Sequence, residues 1–349
     1  MTYFRPIIIK AAGQHPSPYL LPATPIIKLN SNENPYPPSP QALNILRLLD
    51  GEWLRRYPDP YSQAFCQAAA TALGVPADWI IVSNGCDALL NILMQACVDS
   101  TRSVVYPTPT YGLYQTLANI YGAHTVEITY NSDYSLPLDQ IAAAQGALTL
   151  IASPNSPSGK QVPLAELQQL AETVQGVLVI DEAYVDFAED SALSLVNAYE
   201  RVIVLRTLSK GYGLAGLRFG FGIAQPPLLS GLFKVKDSYG VDAIANRIAT
   251  AAIADQAYKN DRVAQIKADR QQLTSDLQRL GLDVAPSQGN FVLATHTNAE
   301  RLHDDLRKHD IWVRHFDHPQ LNDKLRITVG TPSQNAQLLK TLSRLIKEQ

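Results

Sequence analysis

Seven short runs of apolar, mostly β-branched residues lie at 79–83, 103–106, 124–130, 148–152, 177–180, 202–205 and 219–223, and they constrain the fold more than any other feature. Val202-Ile203-Val204-Leu205 has no polar position at all. A strand apolar at every position has both faces covered, as in a parallel sheet packed between helices. Helical stretches alternate with the runs. One is 88–98, and within 164–174 Leu164, Leu167, Leu170 and Val174 recur at helical spacing. The expectation is an α/β fold with a mostly parallel seven-stranded sheet covered by helices.

The two ends read differently. Pro16, Pro18, Pro22 and Pro25, then Pro35, Pro37, Pro38 and Pro40, forbid a long helix or an inner strand near the start. Apolar Leu20, Leu21, Ile26 and Ile27 make this segment an extended arm laid on another surface. Beyond 240, Ile244, Ile248, Val263, Ile266, Leu273 and Leu277 keep a helical period, with Asn260 and Asp261 as the place for an interruption. A strand at 291–295, a helix at 299–308, strands at 311–316 and 325–329 and a last helix follow. That helix opens with Thr331-Pro332-Ser333-Gln334, which has capping-box spacing and proline at the first helical position. The expected division is an arm over 1–40, a large domain over 41–240 and a small α+β domain over 241–349.

Composition excludes several function classes. A net charge of −3 with no basic run gives no footprint for nucleic acid. No stretch approaches the roughly 18 apolar residues of a membrane span. Cys66, Cys86 and Cys97 have neither paired nor metal-type spacing, and no targeting segment is visible, so free thiols in a cytoplasmic protein without a metal are expected.

The chemistry begins at Thr207-Leu208-Ser209-Lys210, with Arg218 eight residues beyond Lys210. Hydroxyls and a guanidinium suit a phosphate. An amine condenses with an aldehyde. One cofactor carries both groups, pyridoxal 5′-phosphate. Asp181 ends another apolar run, at the strand edge where open α/β sheets gather ligands. A buried carboxylate there needs a cation, and a protonated pyridine nitrogen is one. Tyr184 stands three residues on, able to donate to the ring's phenolic oxygen. The Ser83-Asn84-Gly85-Cys86-Asp87 turn offers backbone amides to phosphate at a helix start. Pro154-Asn155-Ser156-Pro157-Ser158-Gly159 follows a strand and taken alone is a turn. Gly211-Tyr212-Gly213-Leu214-Ala215-Gly216 matches the dinucleotide fingerprint, but 206–210 separate it from its strand and 218–223 read as another strand. No room is left for the crossover helix that fingerprint requires.

Several motifs stand in one order along the chain: Asn32-Glu33-Asn34-Pro35, Arg56-Tyr57-Pro58-Asp59, Pro109-Thr110-Tyr111-Gly112, the 154–159 loop, Asp181-Glu182-Ala183-Tyr184, the Lys210 and Arg218 segment, Ser287-Gln288-Gly289-Asn290-Phe291, and Leu325-Arg326-Ile327. As a set they resemble the histidinol-phosphate aminotransferases, within the fold-type I pyridoxal-phosphate enzymes, over essentially the whole chain. The resemblance implies that Lys210 bonds the cofactor and moves the proton of the reaction. It implies that Asp181 pairs with the pyridine nitrogen, that Tyr184 meets the 3′-oxygen and that Tyr111 stacks on the ring. Thr207, Ser209, Arg218 and the Gly85-Cys86-Asp87 amides would hold the phosphate. Tyr57 would reach the phosphate site of a second subunit, so that a homodimer shares its active sites. Arg326 and Arg314 would clamp substrate anions, with Tyr19 on the substrate phosphate. Where the family commonly has asparagine before the second proline of its Pro-Asn-x-Pro-x-Gly loop, this chain has Ser156, so the 3′-oxygen contact falls to Asn155 or Ser156. The implied reaction converts histidinol phosphate and 2-oxoglutarate to imidazole-acetol phosphate and glutamate. An aromatic aminotransferase or a threonine-phosphate decarboxylase would share most of these residues. A non-catalytic regulator would carry a DNA-binding module, and no basic helix-turn-helix flanks the core.

Overall fold

The computed structural model describes residues 3–10 and 26–348. A short strand, β1 (Ile27–Lys28), precedes the seven strands of the large sheet: β2 (Ile80–Ser83), β3 (Ser103–Thr108), β4 (His124–Thr129), β5 (Leu148–Ala152), β6 (Val177–Asp181), β7 (Val202–Thr207) and β8 (Gly220–Ile223). Each lies on one of the apolar runs. Their order is β2-β8-β7-β6-β5-β3-β4, and only β8 runs against its neighbours. Side chains alternate between the faces. Ile81, Leu150, Val179, Ile203 and Leu205 enter one core, under the Gly85–Cys97 helix. Val82, Ile151, Ile180, Val202 and Val204 enter the other. Both faces are covered along β5, β6 and β7, which explains why those runs are nearly free of polar positions, whereas the edge strand β4 carries His124, Glu127 and Thr129 exposed. From β5 the chain adds β6 and β7 on one side, whereas β3 and β4 occupy the other, so a crevice opens at the carboxyl ends of these strands.

A second, smaller layer follows. The helix Gln256–Arg279, β9 (Asp283–Val284), β10 (Phe291–Thr295), the helix Ala299–Lys308, β11 (Ile311–Trp312), β12 (Arg314–His315), β13 (Lys324–Thr328) and the helix Pro332–Lys347 share a core built on Ile266, Leu277, Val292, Leu302, Ile327 and Leu342. Its antiparallel sheet has the order β12-β13-β10-β9. The last helix is closed by the expected capping box, in which the Thr331 hydroxyl accepts from the Gln334 amide and the Gln334 side chain accepts from the Thr331 amide.

The structure departs from the sequence reading in three places. The long helical stretch breaks at Asp255 and not at Asn260 or Asp261, because the Asp255 carboxylate accepts from the Tyr258 amide and caps a new helix. The helix before that break, Ala243–Ala254, buries Ala245, Ile248, Ala249 and Ala252 in the large-sheet core. We therefore place the change of unit near Asp255, not at 240/241. The third departure is the 311–316 run, which splits at Val313. β11 pairs in parallel with β1, and β12 pairs with β13. The end of the arm is thus strapped to the small layer, and residues 29–34 lead from there into the crevice.

Candidate active site

A cavity of about 390 Å³ occupies the crevice, and Asp87, Tyr111, Asp181, Tyr184, Lys210 and Arg218 line it. The fold explains the convergence. Asp181 ends β6, Thr207 ends β7, Tyr111 follows β3, and the 154–159 loop follows β5. Because β8 is antiparallel, its first residue, Gly220, lies beside Thr207 and Ser83, which brings Arg218 to the same edge.

Asp181 is the electrostatic anomaly of the site. It is wholly buried, and burial pushes its carboxyl up to about 6. The Tyr114 hydroxyl donates to one oxygen at 2.8 Å and the Ala183 amide to the other at 3.1 Å, which limits the rise. The charges beside it, Asp87 and Glu182, are both negative and push the same way as burial. Tyr114 is a site residue that the sequence reading missed. Its signal was helical spacing from Tyr111, three residues earlier, and the two rings meet edge-on at 5.8 Å.

The Lys210 amine donates to the carbonyls of Ser31 at 3.2 Å and Asn32 at 3.1 Å, and it lies 5.6 Å from the centre of the Tyr184 ring. Burial alone would raise the Tyr184 phenol. The Lys210 and Arg326 cations, with hydrogen bonds from Asn32 and Ser156, outweigh burial and hold it below its ordinary value. Asn155 is engaged within its own loop region, accepting from the Thr110 hydroxyl at 2.7 Å and donating to the Pro109 carbonyl and the Ser158 hydroxyl. Ser156 lines the cavity and accepts from Arg326 at 2.9 Å.

Thr207, Ser209, Arg218 and the first turn of the Gly85–Cys97 helix form the other end. The Thr207 and Ser209 hydroxyls are 2.9 Å apart, and Arg218 reaches the Asp87 carboxylate at 3.2 Å. Two glycines make this cradle possible. Gly85 has φ +77, and a Cβ there would sit 2.7 Å from the Arg218 guanidinium. A Cβ on Gly220 would sit 2.4 Å from the Cys86 amide nitrogen. Backbone donors at a helix start, two hydroxyls and a guanidinium form an anion cradle.

Beyond the cavity, Arg326 donates to Ser156 and to the Asn30 carbonyl, and its Nε has no partner. Arg314 stands directly opposite it on the β12–β13 ladder. Like charges facing each other across strands are destabilising, and an incoming anion relieves them. Tyr57 is 81% exposed and stacks on Tyr239 at 4.5 Å, away from the cavity of its own chain. Tyr19 lies outside the described residues. The rejected dinucleotide fingerprint is a turn followed by a single 3₁₀ turn at Ala215–Leu217, and Gly211 is needed because a Cβ would collide with the Asp186 carboxylate.

The arrangement therefore offers an amine, a buried acid lacking a cation, a phenol flanked by cations, and an anion cradle, all on one cavity. Pyridoxal 5′-phosphate fits all four, since its pyridinium is the cation that Asp181 lacks.

Comparisons with known proteins agree. Residues 24–342 match the family described as "Aminotransferase class I and II". The chain is 56% identical to "Histidinol-phosphate aminotransferase 1" of Trichormus variabilis, over 99% of both chains. It is 55% identical to the protein of that name in a Nostoc species, over 99% of this chain and 98% of the relative. A crystal structure of histidinol-phosphate aminotransferase from Sinorhizobium meliloti in complex with pyridoxal 5′-phosphate superposes with a TM-score of 0.89 at 28% identity, covering 100% of this chain and 98% of the other.

Proposed function

The chain belongs to the class I and II aminotransferases, and we propose that it exchanges an amino group between histidinol phosphate and 2-oxoglutarate, in the biosynthesis of histidine. Pyridoxal 5′-phosphate is its cofactor. The substrate assignment is supported by full-length relatives of that name at 55–56% identity. The observation that carries the chemistry is Asp181, a buried carboxyl held up near 6 on the same cavity as a lysine amine whose hydrogen bonds go to two backbone carbonyls and not to an acid.

When bound, the cofactor supplies an electron-poor ring that stabilises the charge developing on the substrate α-carbon as its proton leaves. Asp181 keeps the pyridine nitrogen protonated, with Tyr114 and the Ala183 amide fixing the orientation of the carboxylate. Lys210 is the attachment point and then the general base that takes and returns the α-proton. Tyr184 and Ser156 meet the 3′-oxygen. Thr207, Ser209, Arg218 and the Cys86 and Asp87 amides hold the phosphate, and Tyr111 covers the ring.

Substrate anions fall to Arg326 and Arg314. Glutamate brings an α-carboxylate, whereas histidinol phosphate brings a phosphate and no carboxylate. A pair of facing guanidiniums accepts either in turn. We place the enzyme in the cytoplasm as a homodimer. Leu46, Leu48, Leu54, Tyr57 and Tyr61 are large apolar side chains left exposed on one segment of the single chain, and Tyr57 is free to enter a partner's site.

The test is a set of half-reactions. Histidinol phosphate, phenylalanine, threonine phosphate and glutamate are each added to the cofactor-loaded protein, and the absorbance of the lysine-linked cofactor is followed. Histidinol phosphate and glutamate should discharge that band without release of CO₂. A band discharged by phenylalanine but not by histidinol phosphate, or CO₂ released from threonine phosphate, would overturn the substrate assignment.

A further inference from the structure

Asn32 is buried at 1% exposure, yet it lies on a segment entering from the small layer, and every polar group it has is engaged. Its amide donates to the Thr328 hydroxyl at 3.0 Å, and its side-chain oxygen accepts from that hydroxyl at 3.1 Å. Its carbonyl accepts from the Asn290 side chain at 3.0 Å and from the Lys210 amine at 3.1 Å. Its Nδ2 donates to the Tyr184 hydroxyl oxygen at 2.9 Å. The residue has φ +53, a left-handed conformation in which asparagine is the most tolerated side chain after glycine. A strained, buried residue that joins β10, β13, the β6 loop and the β7 loop is over-determined in the way functional positions are.

We propose that Asn32 is a positioning residue for the amino-transfer chemistry: its carbonyl parks the Lys210 amine, and its side-chain N–H, by occupying the Tyr184 oxygen, aims the Tyr184 O–H outward as a donor. A phenol oxygen that already receives an N–H keeps its own O–H free to donate, so the Tyr184 proton is held available to an oxygen of the group bound at Lys210. The charged groups facing Tyr184 are Lys210 from the β7 loop and Arg326 from β13, and as cations neither accepts a hydrogen bond from its O–H. Asn32 therefore fixes both the reacting amine and the phenol beside it.

This inference rests on Lys210 as the cofactor's attachment point. The experiment reads the absorbance of the lysine-linked cofactor as pH is raised, and takes the midpoint of its titration. Asn32→Asp keeps the size, the left-handed preference and the oxygen facing Thr328, but replaces the N–H donor by a charge. Asn32→Gly fits the backbone and removes the donor without adding charge. Both should move the midpoint upward, Asn32→Asp by about one pH unit and Asn32→Gly by less, because each weakens the stabilisation of the deprotonated form. Thr328→Val loosens the seating of the arm while leaving the donor, and should leave the midpoint in place. Unmoved midpoints in both Asn32 variants would overturn the proposal, and so would an equal rise in Thr328→Val, which would make the role one of arm anchoring alone. A wild-type protein with no lysine-linked band at all would instead refute the attachment of the cofactor to Lys210, and this proposal with it.

Discussion

Asp181 shows how one side chain can hold information about a missing partner. Its folded-state pKa near 6 exceeds its ordinary 3.8, so the folded, cofactor-free protein holds a proton that the unfolded chain releases. The sign follows: stability contributed by the protonated acid is lost as pH rises from 3.8 through about 6, and the full penalty applies above that. A gap of about two pH units is worth about 3 kcal/mol. Asp181→Asn should therefore make the cofactor-free protein more stable than wild type by up to that amount near pH 8, with the advantage fading below about pH 4, as thermal unfolding across pH would report. A constant difference at every pH would contradict the buried, unpaired acid. The second residue-scale prediction concerns Arg326. Its two terminal nitrogens contact Ser156 and Asn30, a fork that lysine cannot reproduce. Arg326→Lys should lower kcat/KM for both glutamate and histidinol phosphate by roughly 10-fold or more, a loss of about 1.4 kcal/mol or greater. Unchanged kcat/KM for both substrates would remove Arg326 from the anion site.

At the scale of elements, most of the large sheet was legible because its strands are covered on both faces and burial leaves a near-continuous apolar signature. The 148–152 run and β5 coincide to the residue. What was not legible depended on partners distant in sequence. Nothing local to 311–316 reveals that Val313 separates a strand bound to β1 from one bound to β13. The end of the Ala243–Ala254 helix is set by a cap, and its assignment to the large core by the two helices it packs on, Pro40–Ile45 and Gln63–Leu73. In the site, Lys210, Asp181 and Arg218 stood out by chemical type. Tyr114 and Asn32 did not, because a tyrosine on an apolar helix and an asparagine in a proline-rich arm acquire roles only from what they touch. The same contrast separates glycines. Gly220→Ala places a Cβ against the Cys86 amide and should cost about 1–3 kcal/mol while weakening cofactor retention. Gly231→Ala, in the Pro226–Leu232 helix with nothing within 4 Å of the added Cβ, should gain about 0.5–1 kcal/mol. Chemical denaturation of the two variants, read with cofactor dissociation, checks the pair.

The whole molecule is organised around one edge of one sheet, with the small layer and the arm closing over it. Through Asn32, Asn34 and Arg326, the arm and the small sheet contact the lysine loop and the 154–159 loop directly. Only Tyr57 among the described residues implicated in cofactor binding stands apart, and the exposed apolar residues around it account for that if a second copy covers them. Leu54→Glu, at a position 61% exposed, should yield monomers in sedimentation and weaken phosphate retention, while leaving the secondary structure intact. A dimer that persists unchanged would move the interface elsewhere. All of this converges on the bond proposed at residue 210. Hydride reduction of the cofactor-loaded protein followed by peptide mass analysis tests it most directly. The account predicts the added pyridoxyl-phosphate mass on the peptide containing Lys210; that peptide unmodified, or the mass on a different lysine, would contradict it.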